Sequence, residues 1–264
     1  MTDYIEAILA GRPVREFQVV DAHDHLGPWS NFKVSQKGSI DSLIRRCDQV
    51  GINRITLTAH ASIGPDMRLG NELVLDAVTR FPQRASGYVT IKPCGGEAIF
   101  EELTHFFAKP GFAGIKLHPE LHGRQVADPV YEPAYAYADA HRLPVLIHTW
   151  SVRNVLDIGG LAVRYPNASF IVAHLGGAPN ALDTALQTIA RHDNVYGDTA
   201  LSAAPMGNIR YAVTKISAEK LLFGTDMPFY DPSFTLARVL AAGLSHRELA
   251  CVLGGNFNRL CGRG

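Results

Sequence analysis

Short apolar runs alternate along the chain with segments whose apolar residues return every three or four positions. The runs are Phe17 to Ala22, Ile52 to Ala59, Gly87 to Lys92, Gly111 to Pro119, Leu143 to Thr149, Ser169 to Leu175, Val195 to Thr199 and Lys220 to Thr225. Runs of this length suit strands of a parallel sheet that is covered on both faces. Between the first two, Ile40, Leu43, Ile44, Cys47 and Val50 mark a helix over Ser39 to Val50, with Ser39 placed to cap its start and Gly51 its end. The same reading predicts helices over Asp66 to Arg80, Glu97 to Ala108, Tyr131 to Arg142, Val152 to Tyr165 and Ala181 to His192. Another falls within Pro205 to Ser217, and two more near Ser233 to Ala242 and Ser245 to Leu253 close the chain. Ser245 and Glu248 have the spacing of a capping box, in which each side chain satisfies a free backbone N–H at the helix start.

Eight strands, each followed by a helical segment, in a chain of 264 residues are the count of a closed (β/α)8 TIM barrel forming a single α/β domain over residues 1–264. The rival is a doubly wound open sheet. It normally has fewer strands and carries a ligand site at a reversal of strand order. No GxGxxG follows the first strand, and no GxxxxGK[ST] occurs.

The polar residues sharpen the picture. Of eleven histidines, six stand at predicted strand C-termini: His23, His25, His60, His118, His148 and His174. Asp21 and Asp24 join them on the first strand, Asp198 on the seventh and Asp226 on the eighth. In a parallel barrel all strand C-termini open on one face, so these groups converge on one mouth. Residues two apart on a strand face the same way, so His23 and His25 can reach one ion. Asp226, brought beside the first strand by closure of the barrel, can complete the site and leave a position for water. Neutral imidazole suits zinc, iron or nickel.

Composition removes other function classes. Lysine plus arginine equal aspartate plus glutamate at 25 each, so neither nucleic acid nor an acidic membrane surface is expected as a partner. There is no run of about eighteen apolar residues, the length a membrane-spanning helix needs. Met1 to Arg15 reads as neither a signal nor a transit peptide. Cys47, Cys94, Cys251 and Cys261 form no CxxC, which points to reduced thiols in a cytoplasmic protein. The expected partner is a small-molecule substrate. Self-association is compatible with such a barrel, but no feature of the sequence establishes it. Arg68, Arg124 and Arg153 lie in or near strand-end loops, where a guanidinium could clamp a substrate carboxylate. Trp29 and Trp150 follow the histidine segments and could wall an aromatic substrate, with plain packing as the equal alternative. Asp198 could orient a site residue or hold the seventh-strand loop.

The segments Asp21-Ala-His-Asp-His25, Gly114-Ile-Lys-Leu-His-Pro119, Leu146-Ile-His-Thr149, Val172-Ala-His-Leu-Gly-Gly177, Leu222-Phe-Gly-Thr-Asp-Met-Pro228 and Gly254-Gly-Asn-Phe-Asn-Arg-Leu260 stand in a characteristic order. Together they resemble the amidohydrolase 2 family of the amidohydrolase superfamily, metal-dependent TIM-barrel hydrolases and decarboxylases, over essentially the whole chain. The resemblance implies one divalent ion, usually zinc, held by His23, His25, His148 and Asp226. It implies that His174 acts on substrate or on metal-bound water, and that Asp226 doubles as a general base. His118 would then be a substrate contact, and Lys116 an inward ion-pair or hydrogen-bond partner or a second substrate contact. Arg153 and Trp150 are the further substrate-contact candidates from their loop positions. A binuclear site bridged by a carboxylated Lys116, with His148 and His174 on the second ion, is the alternative. His60 stays open between a direct role in the site and a supporting or merely solvated rim histidine, with the latter favoured.

The leading expectation is hydrolysis of a small ester, lactone or amide by activated water. Non-oxidative decarboxylation of an unsaturated or aromatic acid is the alternative on the same scaffold. A metal-free lactonase and a non-catalytic binding barrel are the remaining readings.

Overall fold

The computed structural model describes residues 3–30, 33–200 and 207–262. Eight parallel strands follow one another around one sheet in sequence order. They are β1 (Val20–Leu26), β2 (Arg54–Ala59), β3 (Ala85–Ile91), β4 (Phe112–Leu117), β5 (Pro144–Ile147), β6 (Ser169–Val172), β7 (Val195–Asp198) and β8 (Leu221–Leu222). Helices α1 (Asp3–Leu9), α2 (Ile40–Val50), α3 (His60–Ile63), α4 (Met67–Arg80), α5 (Gly96–Phe107) and α6 (Glu132–His141) belong to the first half. The second half holds α7 (Val152–Arg164), α8 (Leu182–Arg191), α9 (Asn208–Ile216), α10 (Pro232–Leu240), α11 (His246–Ala250) and α12 (Asn256–Leu260). The TIM barrel expected from the pattern is therefore the fold.

Two apolar layers hold it. The larger lies between sheet and helices, where Leu43, Cys47, Leu103, Ile158 and Ile189 pack on outward strand residues such as Ile55, Ile115 and Val145. The smaller fills the floor of the barrel with Val20, Ala22, Tyr88, Leu146, Ile171, Leu222 and Phe257. A filled floor makes the barrel a core rather than a pore and leaves its chemistry at the mouth.

Several boundaries differ from the sequence reading for identifiable reasons. β1 starts at Val20 and runs through the histidines, so His23 and His25 are strand residues and not the loop after it. Its pairing with β2 slips by one residue between Asp21 and Asp24, a bulge that re-aims side chains at the pair. β6 stops at Val172 because His174 and Leu175 adopt left-handed backbone, with φ of 60° and 49°. β8 keeps only two residues because the chain beyond it bonds elsewhere. Phe223 N donates to Val252 O, Ala22 N to Phe223 O, Asp226 N to His23 O and His25 N to Met227 O. These last three bonds make the seam that closes the barrel from β8 to β1.

Ser39 occupies the N-cap position of α2, but its side chain makes no capping bond there. Gly51 does terminate α2 in left-handed conformation at φ 96°, where a Cβ would lie 2.1 Å from Val14 O. The capping box of Ser245 and Glu248 is present in full. The predicted helix within Pro205 to Ser217 begins at Asn208, and its first two positions lie outside the described residues. Unforeseen elements are α1 and the short α3, which starts at His60. No described helix is long and apolar enough to cross a membrane.

Candidate metal centre and reactive chamber

The bulged end of β1 delivers His23 and His25 to the mouth, both buried. Asp226 meets them from the segment after β8, at φ 63°, a left-handed conformation uncommon outside glycine and asparagine. The bond from Asp226 N to His23 O, at 2.8 Å, holds it there. Asp226 Oδ1 lies 3.0 Å from His25 Nε2 and 3.8 Å from His23 Nε2. Donors bound to a tetrahedral ion at about 2.0–2.1 Å stand roughly 3.4 Å apart, so this spacing fits one small cation. Burial alone would push the Asp226 carboxyl up, but the His25 contact and the surrounding imidazoles hold it well below the usual carboxylate range.

Asp198, buried at the end of β7, organises the centre from behind. Its Oδ2 accepts from His23 Nδ1 at 2.8 Å, and its Oδ1 accepts from His174 N at 2.7 Å and Ala200 N at 3.2 Å. With its proton held on Nδ1, His23 turns the Nε2 lone pair toward Asp226. An imidazole whose far nitrogen is anchored by a carboxylate is the usual arrangement behind a metal ligand. In a second cluster of potential donors, His23, His174 and Asp198, both Asp198 oxygens and His174 Nδ1 are already engaged in hydrogen bonds. The chemistry of the donor set thus fits a divalent ion on His23, His25 and Asp226.

We expect Asp198→Asn to weaken metal binding by about 10–100-fold, the usual cost of losing such an outer partner. An amide nitrogen facing Nδ1 moves the His23 proton to Nε2 and removes the ligating lone pair. Competition with a chromophoric chelator, with circular dichroism as a folding control, measures it. Unchanged affinity would refute the assignment of Asp198.

Lys116 reaches the same spot from β4. Its Nζ lies 2.9 Å from His23 Nε2, it is wholly buried, and burial lowers its pKa to about 8. His118 and His148 stack 3.8 Å apart, nearly parallel at 12°, and burial keeps both rings well below the usual imidazole range. His148 Nδ1 lies 3.2 Å from His174 Nε2, while its Nε2 is 3.5 Å from Glu120 Oε2. Among the described residues, two trios of donor atoms lie close enough to share an ion, His23 with His25 and Asp226 and His23 with His174 and Asp198, and His148 stands beside the first in the chamber. The His174 ring is oriented by its Nδ1, which donates to Ala200 O.

Above these groups opens a cavity of about 230 Å³ lined by His25, His118, His148, His174 and Asp226. Its remaining walls include Trp29, His60, Trp150, Phe229 and Tyr230. His60 stacks between His25 and Phe229, at 4.8 and 4.7 Å, and its Nδ1 donates to Gly27 O. Burial lowers its pKa to about 3, so the ring is neutral. Trp150 lies parallel to His148 at 5.8 Å.

The loop arginines are placed elsewhere. Arg153 is exposed on α7 and pairs with Asp157 at 2.7 Å, Arg68 pairs with Glu102 and Arg124 with Asp128. None of the three lines the chamber. Phe229, Tyr230 and Glu120 are contributors that sequence reasoning missed. The aromatic pair directly after Asp226-Met-Pro was the available signal; nothing marked Glu120.

A family model described as amidohydrolase matches residues 20–262. Among solved structures, 2,6-dihydroxybenzoate decarboxylase complexed with 2,6-dihydroxybenzoate superposes with a TM-score of 0.76 at 16% identity, covering 93% of this chain and 99% of that one. The 5-carboxyvanillate decarboxylase of Novosphingobium aromaticivorans, complexed with manganese and 4-hydroxy-3-methoxy-5-nitrobenzoic acid, gives 0.77 at 14% identity, covering 96% and 98%. The 4-oxalomesaconate hydratase of Rhodopseudomonas palustris gives 0.72 at 18%, covering 93% and 96%.

Proposed function

Because the chain belongs to the amidohydrolase family, we propose that it is a metal-dependent enzyme releasing carbon dioxide non-oxidatively from an aromatic or unsaturated carboxylic acid. The observation that carries this reading is the chamber itself. Flat rings of Trp29, His60, Phe229 and Trp150 enclose a space about 230 Å³ in size, and the polar side chains on its lining include the imidazoles, Asp226 and Tyr230. Such walls suit a planar conjugated substrate. The decarboxylases of similar fold lend support. Hydrolysis, the leading expectation from sequence, has less support, since the similar structures named above are decarboxylases and a hydratase.

His23, His25 and Asp226 would hold the ion. When bound, it supplies Lewis-acid attraction for the oxygens of an acid substrate. The chain's own residues do the rest. Trp150 and Phe229 orient the ring, and the aromatic faces packed against it displace water. As the bond to the carboxylate breaks, its electron pair passes to the ring carbon, and carbon dioxide leaves. That carbon takes a proton from protonated His174 at Nε2, with His148 at 3.2 Å as the neighbour through which the proton is replaced. Asp226, held ionised, is poorly suited to give that proton.

The test is a panel of hydroxylated benzoates and unsaturated acids beside esters and lactones, with headspace carbon dioxide and titratable acid followed separately. Carbon dioxide in step with loss of the acid is the expected result. Acid production from an ester or lactone without carbon dioxide would replace this reading with hydrolysis.

A further inference from the structure

A second cavity, of about 590 Å³, adjoins the reactive chamber and shares Trp29, His60 and Ile63 with it. The loops after β1, β2, β3 and β4 build it together with α4, and its lining is mostly apolar. Leu73 of α4 and Leu121 of the loop after β4 are 41% and 47% exposed there. Among the described residues, Lys92 is the charged one on the lining, and its Nζ, which donates to Gly64 O, carries further N–H donors. At about 230 Å³ the reactive chamber alone falls below the roughly 300–1,000 Å³ of ordinary small-molecule sites, and the side chamber brings the whole within that range.

We propose that the side chamber is the specificity subsite for an apolar arm of the substrate, with Lys92 receiving an anionic or acceptor group at the far end of that arm. The proposal rests on the acid-substrate reading above. Trp29, His60 and Ile63 mark the joint, with the reacting carboxylate beside Asp226 on one side and the arm over Leu73 and Leu121 on the other. The shared lining of Trp29, His60 and Ile63, which sets the two cavities side by side, is what selects the substrate itself as occupant. Covering the two leucines removes apolar surface from water, so the gain grows with arm length.

Calorimetric titration of the purified protein with zinc in the buffer tests this. The probes are benzoate, 3- and 4-butylbenzoate, and the same acids with a carboxylate ending the butyl arm. At least one butyl isomer should bind about ten-fold or more tighter than benzoate. Leu73→Trp and Leu121→Trp, both at exposed positions, should erase that gain and leave benzoate affinity unchanged. Lys92→Met should remove only the added gain of the terminal carboxylate. Equal affinity of benzoate and every extended acid, or a gain that survives both tryptophan variants, would overturn the proposal. So would a dimer in sedimentation that both variants dissociate, since that would assign the apolar face to a second copy of the chain. Extended acids that bind while benzoate does not would break the acid-substrate reading of the reactive chamber and leave the side chamber standing.

Discussion

Asp226→Asn should leave a folded protein with little bound divalent metal and turnover reduced by about three powers of ten, roughly 4 kcal/mol in the barrier. Asparagine is the informative replacement. At φ 63° the backbone is left-handed, a region asparagine visits readily and alanine does not, so the substitution removes charge without adding strain. The amide offers His25 Nε2 a neighbour of the same shape at the 3.0 Å contact, but it contributes no anionic oxygen to a cation. Metal analysis against protein concentration, beside a thermal melt, reads the result. About one ion per chain in the wild type and far less in the variant is expected. Equal loading in the two would remove Asp226 from the ligand set. Two ions per wild-type chain would favour the binuclear alternative with a modified Lys116.

The second large effect belongs to His174. His174→Asn also suits its local backbone, at φ 60°, and it removes the imidazole that is to carry the proton. Loss of a positioned general acid costs about 10²–10⁴ in rate, so carbon dioxide release should fall within that range while metal content stays near one per chain. Loss of metal along with activity would instead make His174 a ligand. Full activity with metal retained would shift the proton to another group of the chamber.

The sequence carried the barrel because nearly continuous apolar runs with helical intervals leave few ways to cover both faces of a parallel sheet. It carried the centre because strand C-termini share one rim, so His23, His25 and Asp226 could be placed together without coordinates. Other features depend on where the backbone departs from regularity. The bulge between Asp21 and Asp24 cannot be read from side-chain alternation, because an extra residue is what breaks that alternation. Asp198 could be named as an orienting group, but its simultaneous bonds to His23 and to the backbone of His174 depend on two left-handed residues after β6. Arg153 looked like a carboxylate clamp from its distance past β5. A helical turn instead sets it beside Asp157, four residues on. The side chamber was illegible for a simpler reason. Its walls come from four loops and a helix face, and no periodic pattern reports the path of a loop.

The seam of the barrel has an evolutionary corollary. Residues 223–227 both complete the cylinder against β1 and present Asp226, so diversifying that stretch to accept new molecules endangers architecture and reactivity together. The stretches around Leu73 and Lys92 carry no such double duty. Descendants of this chain should therefore change what they recognise by drifting there, while the eighth-strand turn stays nearly frozen.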